Sequence, residues 1–293
     1  MNDYLLSVIL GIIEGLTEFL PVSSTAHLRI SEALLHIDLA NGYWKMFSIV
    51  IQLGAILCLP IYFWKRIMEF VGDFPQGKRG DRTVINHPLT LTIVAFVVTA
   101  LPAFLLTKVI GKHLESLTIM GASLIIGGIV MWIVDGVYER SQHQAFARGR
   151  LTEDMEEMSL GQAVWIGFCQ IFSAVFPGTS RSMSTITGGE LAGMSRPAAL
   201  EFSFFLSIPT MVVATLYDLY KSMRPHHGQP SAIGQMPSDA HSWIVLAIGF
   251  VVSFLVAYGV VAWFMNWVRT RGFTVFAIYR IIVGAAVLWW FAR

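Results

Sequence analysis

Six stretches of the chain are apolar over about 20 consecutive residues, the length an α-helix needs to cross the hydrocarbon core of a bilayer. They lie at about 44–64, 88–110, 116–137, 199–220, 242–267 and 272–291. Two further apolar runs begin in the same way and break off. Residues 4–20 meet Pro21 and a Ser/Thr cluster, then continue for about a dozen residues before His36 and Asp38. Residues 161–176 meet Pro177-Gly178 and resume as a helix-like stretch towards Ala192. Each reads as helix, break, helix, with arms too short or too polar to cross, and so as a re-entrant hairpin. Interrupted backbone at membrane depth survives only where protein or water satisfies its polar groups, commonly around a site.

The second half of this pattern repeats the first. At an offset of 156 residues Gly11 falls on Gly167, Pro21 on Pro177, Ser24 on Ser180 and Lys65 on Lys221. Thr118, Ile125, Ile126 and Gly128 fall likewise on Thr274, Ile281, Ile282 and Gly284. At 154, His87 meets His241, and Phe96-Val97-Val98 meets Phe250-Val251-Val252. Each repeat carries one hairpin and three full spans. Three is odd, so the second copy must lie upside down, and such repeats bring their broken helices together near the midplane. The expected fold is an all-α integral membrane protein with an inverted repeat, one membrane domain over 1–293 with repeats at about 4–138 and 160–291.

Composition agrees with lipid as the main solvent. Of 293 residues 55% are hydrophobic and 13% charged, about half the charge of an ordinary soluble domain, and the mean hydropathy is +0.63. A net charge of +1 leaves no cation surplus for a general nucleic-acid binder. Cys58 and Cys169 sit in apolar segments and read as small buried hydrophobes rather than a disulfide framework. With Asp3 near the start and no Lys or Arg before Arg29, a cleaved secretory signal is not expected. Lys and Arg set the orientation. One face collects Lys65, Arg66, Lys78, Arg79, Arg82, Arg140, Arg148, Arg150, Arg196, Arg269 and Arg271, the other Lys45, Lys108, Lys112, Lys221, Arg224 and Arg293. The richer face is expected in the cytoplasm, with both termini and the mouth of the first hairpin outside. The segments around 72–87, 139–159 and 222–241 read as polar connectors.

Chemistry gathers at the two breaks. The first runs Glu14-Gly15-Leu16-Thr17-Glu18-Phe19-Leu20-Pro21-Val22-Ser23-Ser24-Thr25-Ala26-His27. Glu14 and Glu18 are four apart and share a helix face. Carboxylates within an apolar run are costly and mark a functional site by default. They suit a divalent cation held by oxygen ligands or the orienting of a base. Ser23, Ser24 and Thr25 read as the capped start of a second arm, with His27 one turn beyond Ser24. The second break, Pro177-Gly178-Thr179-Ser180-Arg181-Ser182-Met183-Ser184-Thr185, is a Gly-containing turn opening a helix, a ready anion cradle. Arg181 adds a planar fork suited to phosphate, and Gly178, Ser180, Ser182 and Thr185 add donors. By repeat symmetry the two tips should meet, carboxylates, hydroxyls and a histidine facing an arginine-rich cradle, a complementarity that fits phosphoryl transfer.

The two quoted stretches, with Phe47 to Gly54, Glu201 to Pro209 and Ala277 to Ile281, resemble the bacterial undecaprenyl-diphosphate phosphatase family linked to bacitracin resistance, over about residues 4 to 291. The resemblance implies hydrolysis of undecaprenyl diphosphate to undecaprenyl phosphate and inorganic phosphate in the bacterial inner membrane, recycling the lipid carrier of cell-wall glycan synthesis. It implies Glu14, Glu18, Ser24, His27 and Arg181 as catalytic residues, and Ser23 and Thr25 join the second-break donors as phosphate contacts. It further implies a periplasmic approach to the phosphate and a divalent cation, Mg²⁺ or Ca²⁺, for which Glu14 and Glu18 are candidate ligands. Ala26 stands where the family usually has glycine, and Met183-Ser184 where smaller residues are common. Neither change removes a functional group.

The expected chemistry is attack by Ser24 on the terminal phosphorus with His27 as general base, or attack by His27 itself. The partners expected are the polyprenyl diphosphate and the bilayer, with a homo-oligomer left open. A transporter or lipid flippase is the alternative from another class, since inverted repeats with broken helices serve there too. Arg280, well inside the last span, requires a partner, and Glu190 and Glu201 are the acids considered for it.

Overall fold

The computed structural model describes residues 2–37, 42–106, 116–147, 151–222, 237 and 239–291. Lys108, Lys112, Arg148, Arg150, Arg224 and Arg293, which enter the orientation count, lie outside these residues, as does most of the 222–241 connector. The described helices are α1 (Asp3–Thr17), α2 (Ser24–Leu34), α3 (Gly42–Tyr62), α4 (Trp64–Gly72), α5 (Pro88–Leu105), α6 (Leu117–Ala147), α7 (Leu160–Val175), α8 (Arg181–Leu191), α9 (Arg196–Ser222), α10 (Ala240–Trp267) and α11 (Thr274–Phe291). A short 3₁₀ turn spans Met155–Glu157, and one isolated bridge pairs Thr152 with Met194.

Five helices are long and apolar enough to cross a membrane: α3, α5, α6 over Leu117–Arg140, α9 over Arg196–Tyr220, and α10. The sixth expected span forms α11, whose 18 residues rise roughly 27 Å at about 1.5 Å each. Outward faces of these helices are apolar, as at Ile126, Ile133, Val251 and Leu255, each more than half exposed. That is the surface lipid would cover, and the chain is a multi-pass membrane protein.

Several boundaries differ from the sequence pattern. Helix α5 ends at Leu105, and 107–110 of its expected span lie outside the described residues. The first span ends at Tyr62, where Pro60 in the last turn removes a backbone donor, and α4 begins as a separate helix at Trp64. Helix α6 runs about ten residues beyond its apolar part, into the expected connector, because nothing in Glu139–Ala147 breaks a helix. Helix α9 starts at Arg196 rather than 199, where the Arg196 side chain pairs with Asp135 on α6 and Glu190 on α8.

Small residues allow the closest packing. A Cβ added to Gly11 on α1 would lie 2.8 Å from the Gly249 carbonyl oxygen on α10, and one on Gly167 of α7 2.5 Å from the Ala95 carbonyl oxygen on α5. Hydroxyls bond across such contacts, Thr99 to the Gly167 carbonyl at 2.7 Å and Ser253 to the Ile51 carbonyl at 2.6 Å. One core cluster includes Phe19, Phe63, Phe70, Phe204, Phe205 and Phe264. The same cluster takes in Val22 of the first break and Met183 just after the second.

Candidate active site

Both breaks are built alike. Helix α1 ends at Thr17 and Pro21 cannot continue it. The chain re-enters helix through Ser23, at φ 74°, whose hydroxyl accepts from the Ala26 N–H at 3.4 Å. Helix α7 ends at Val175, the chain passes Gly178 at φ 93°, and Ser180, again at φ 74°, caps the Met183 N–H at 3.3 Å. A non-glycine residue held at positive φ costs on the order of 1–3 kcal/mol. At both positions the side-chain cap, which glycine lacks, offsets part of that cost.

The two tips meet on Glu18, which follows α1 and is 5% exposed. Ser24, the first residue of α2, donates its hydroxyl to Glu18 Oε2 at 2.5 Å. Arg181, the first residue of α8, donates from Nη2 to Glu18 Oε1 at 3.0 Å. Gln52 of α3 adds a long contact to Oε2 at 3.4 Å, and Ser182 reaches the Glu18 carbonyl at 3.5 Å. Two helix N-termini, each with a partial positive charge, therefore begin beside one carboxylate. The Nε and Nη1 atoms of Arg181 are buried and lack a hydrogen-bond partner among the described residues. One turn before Glu18, the carboxylate of Glu14 is fully buried and neither of its oxygens makes a hydrogen bond among the described residues.

His27 is placed otherwise than expected. Its Nδ1 lies 2.8 Å from the Ser23 carbonyl and its Nε2 2.8 Å from the Tyr279 hydroxyl on α11. The expected Ser24–His27 hydrogen bond is absent. The imidazole turns back by one helical turn onto Ser23, a local side-chain-to-backbone bond, while the stronger acceptor Glu18 draws the Ser24 hydroxyl.

The remaining residues separate. Thr185 turns towards α9, 2.6 Å from the Ser203 hydroxyl, and donates to the Arg181 carbonyl. Thr25 is half-buried on the first turn of α2. Gly178 presses on α6, where a Cβ would lie 2.7 Å from the Met120 carbonyl oxygen, and its own carbonyl accepts from Arg280 at 3.2 Å. Ala26 is fully buried and clusters with Met120 and Leu124.

Arg280 is fully buried, and neither acid considered for it is its partner. Glu190 pairs with Arg196 and Glu201 with Arg66. Arg280 instead donates to backbone carbonyls of Pro21 at 2.9 Å, Ser123 at 3.2 Å and Gly178 at 3.2 Å. One guanidinium thus fastens the first break, α6 and the second break.

Residues 7–286 match the family described as "Bacitracin resistance protein BacA". The chain belongs to the BacA family. Its BacA-like relatives include proteins named undecaprenyl-diphosphatase. That of Koribacter versatilis (strain Ellin345) is 69% identical over 290 residues, 99% of each chain. That of Ralstonia pickettii (strain 12J) is 38% identical, over 96% of this chain and 93% of the relative. That of Sorangium cellulosum (strain So ce56) is 41% identical, over 97% and 85%. Within this BacA chain, Gln52, Tyr279 and the clasp of Arg280 join the residues read from the two breaks. Gln52 and Tyr279 were marked in the sequence by position alone, within Phe47–Gly54 and Ala277–Ile281, whereas Arg280 was marked by its charge inside the last span, though not by its partners.

Proposed function

We propose that this chain hydrolyses undecaprenyl diphosphate to undecaprenyl phosphate and inorganic phosphate, in a site formed by its two broken helices. The observation that carries the reading is the chain Ser24–Glu18–Arg181: a hydroxyl already bonded to a proton acceptor, beside a buried guanidinium with two unpaired nitrogens. The relatives' names point to the same reaction, and nothing favours the transporter alternative, which requires neither group.

Ser24 Oγ attacks the terminal phosphorus and passes its proton to Glu18 Oε2. The bond from phosphorus to the bridging oxygen breaks, and undecaprenyl phosphate leaves. Arg181 and the N-termini of α2 and α8 neutralise the equatorial oxygens of the transferring group. Water then attacks the Ser24 phosphoester, losing its proton to His27 Nε2 as that nitrogen leaves the Tyr279 hydroxyl; the bond from phosphorus to Ser24 Oγ breaks, Glu18 returns its proton to Oγ, and inorganic phosphate departs. Mg²⁺ or Ca²⁺ fits the donor set, since Glu14 offers two unpaired buried oxygens one turn from Glu18 and Mg²⁺ typically takes about one or two carboxylates plus phosphate oxygens. When bound, the cation supplies neutralisation of the diphosphate.

The architecture belongs to the same proposal: two inverted repeats in one membrane domain, with α1–α2 and α7–α8 as re-entrant hairpins opening to the periplasmic and cytoplasmic sides of the inner membrane. Support comes from reciprocal packing, α1 on α10 and α7 on α5, with a glycine at each matched contact. Gly128 against Ala277 and Gly284 against Gly121 repeat that exchange between α6 and α11. The hairpin helices have 15, 11, 16 and 11 residues, roughly 16–24 Å each, short of the ~30 Å hydrocarbon core. The N-caps Ser23 and Ser180 put the breaks one residue out of the 156 register.

The test is release of inorganic phosphate from undecaprenyl diphosphate by purified protein in detergent, with and without a chelator. Phosphate release that the chelator abolishes and Mg²⁺ or Ca²⁺ restores is expected. Absence of release under all conditions would overturn the reaction.

A further inference from the structure

We propose that α4 and the turn after it form a docking surface for the lipid leaflet, with a cleft for a phospholipid whose headgroup carries a primary ammonium, the chemistry of phosphatidylethanolamine. The inference stands apart from the hydrolytic reading and needs only that the chain spans a bilayer. Helix α3 has 21 residues, a rise of roughly 31 Å, which uses up the ~30 Å of hydrocarbon. Helix α4 follows after Phe63 alone, so it begins at the level of the headgroups, too short and too polar for a spanning run to mark it. The exposed apolar residues do not stop at that boundary. Leu57 and Ile61 on α3 are followed by Trp64, Met68 and Val71 on α4, all exposed, four, three, four and three residues apart. That spacing draws one stripe along a helix. The backbone ladder runs through the junction, from the Phe63 N–H to the Leu59 carbonyl and from the Ile67 N–H to the Phe63 carbonyl, each at 2.8 Å. The other side of α4 is held by protein, where buried Phe70 packs edge-on against Phe205 and His87 and Arg66 pairs with Glu201. The stripe is therefore a continuation of the lipid-facing surface of α3, and a tryptophan at its start suits the membrane interface.

Beside the stripe opens a cleft of about 630 Å³. Trp64 and Met68 form its apolar wall, and Lys65, Glu69, Asp73 and Lys78 charge it. Glu69 lies 3.8 Å from Arg66. Lys65, Lys78 and Asp73 make no ion pair among the described residues, although opposite charges line one cleft. A group placed between them can satisfy both signs at once. A phosphodiester between the two lysines and an ammonium at Asp73 meets that requirement, with the lysine stems and Trp64 against the upper acyl chains. A purely anionic headgroup leaves Asp73 facing like charge, and a choline headgroup has no N–H to donate to it.

The test mixes purified protein in detergent with equal amounts of phosphatidylethanolamine, phosphatidylcholine and phosphatidylglycerol of the same acyl chains and counts bound lipid by native mass spectrometry. Phosphatidylethanolamine adducts are expected to exceed each of the others about fivefold, the scale of one or two exposed ion pairs. Replacing both lysines, Lys65→Gln with Lys78→Gln, should abolish that margin, whereas Lys78→Arg should keep it. Asp73→Asn should erase the margin over phosphatidylcholine, because it removes the charge that the ammonium meets. The comparison of three lipids on the parent protein stands whatever the variants do. Equal adducts of the three, a preference for phosphatidylglycerol or phosphatidylcholine, or a phosphatidylethanolamine margin that survives loss of both lysines would overturn the proposal.

Discussion

Ser24 and Arg181 share one acceptor, Glu18, and much of the site's chemistry follows from that sharing. Arg181 reaches Glu18 with one nitrogen, and its other two have no partner among the described residues. Arg181→Lys retains charge but loses the fork, so turnover should fall at least about tenfold, the equivalent of roughly 1.4 kcal/mol in the barrier. Steady-state phosphate release checks this, and near-parental turnover would remove Arg181 from the transferring group. The bond from Ser24 to Glu18 also orders two further variants. Ser24→Ala removes the attacking oxygen and should be the more damaging, whereas His27→Ala should retain residual activity that rises at high pH as hydroxide replaces the base. Were His27 the nucleophile, quenched enzyme would carry an acid-labile phosphate present in Ser24→Ala and missing in His27→Ala. At this scale the sequence revealed the acids, hydroxyls and arginine, because charge inside an apolar run is costly. It did not reveal how they pair. Helical spacing put His27 near Ser24, but the partner that claims its Nε2 is 252 residues away.

Elements followed the apolar pattern closely where lipid decides them and less so elsewhere. The six long runs and the two interrupted ones all became helices, and Pro21 and Pro177 fell at the breaks. Helix α4 and the extension of α6 were illegible, since both are amphipathic or polar and carry no signal from the bilayer. Ser23 and Ser180 were also missed as left-handed positions, because glycine is the usual marker there. The glycines that matter for packing read as unremarkable apolar-run residues until their neighbours were known. Gly167→Ala would force a Cβ to 2.5 Å from the Ala95 carbonyl oxygen and should destabilise by about 1–3 kcal/mol. Gly136→Ala on α6, where nothing lies within 4 Å, should leave the protein as stable or slightly more so. Melting temperatures in a common detergent compare the two, and equal shifts would contradict the close approach of α7 to α5.

For the molecule as a whole, the charge count predicts that the start of α3 faces outward. A cysteine at Lys45 should then react with an impermeant maleimide on intact cells, and reaction only after permeabilisation would invert the orientation. The clasp of Arg280 reaches further than geometry. Residues Glu14, Glu18, Ser24, His27 and Arg181 have all left the ribosome well before residue 280 is made, yet both carbonyls that hold their breaks wait for that one guanidinium. A chain stalled in translation anywhere short of it holds the reactive groups without the clasp that sets the two breaks in place. The two breaks thus gain their last common tie with the arrival of α11, and order of synthesis becomes a form of timing.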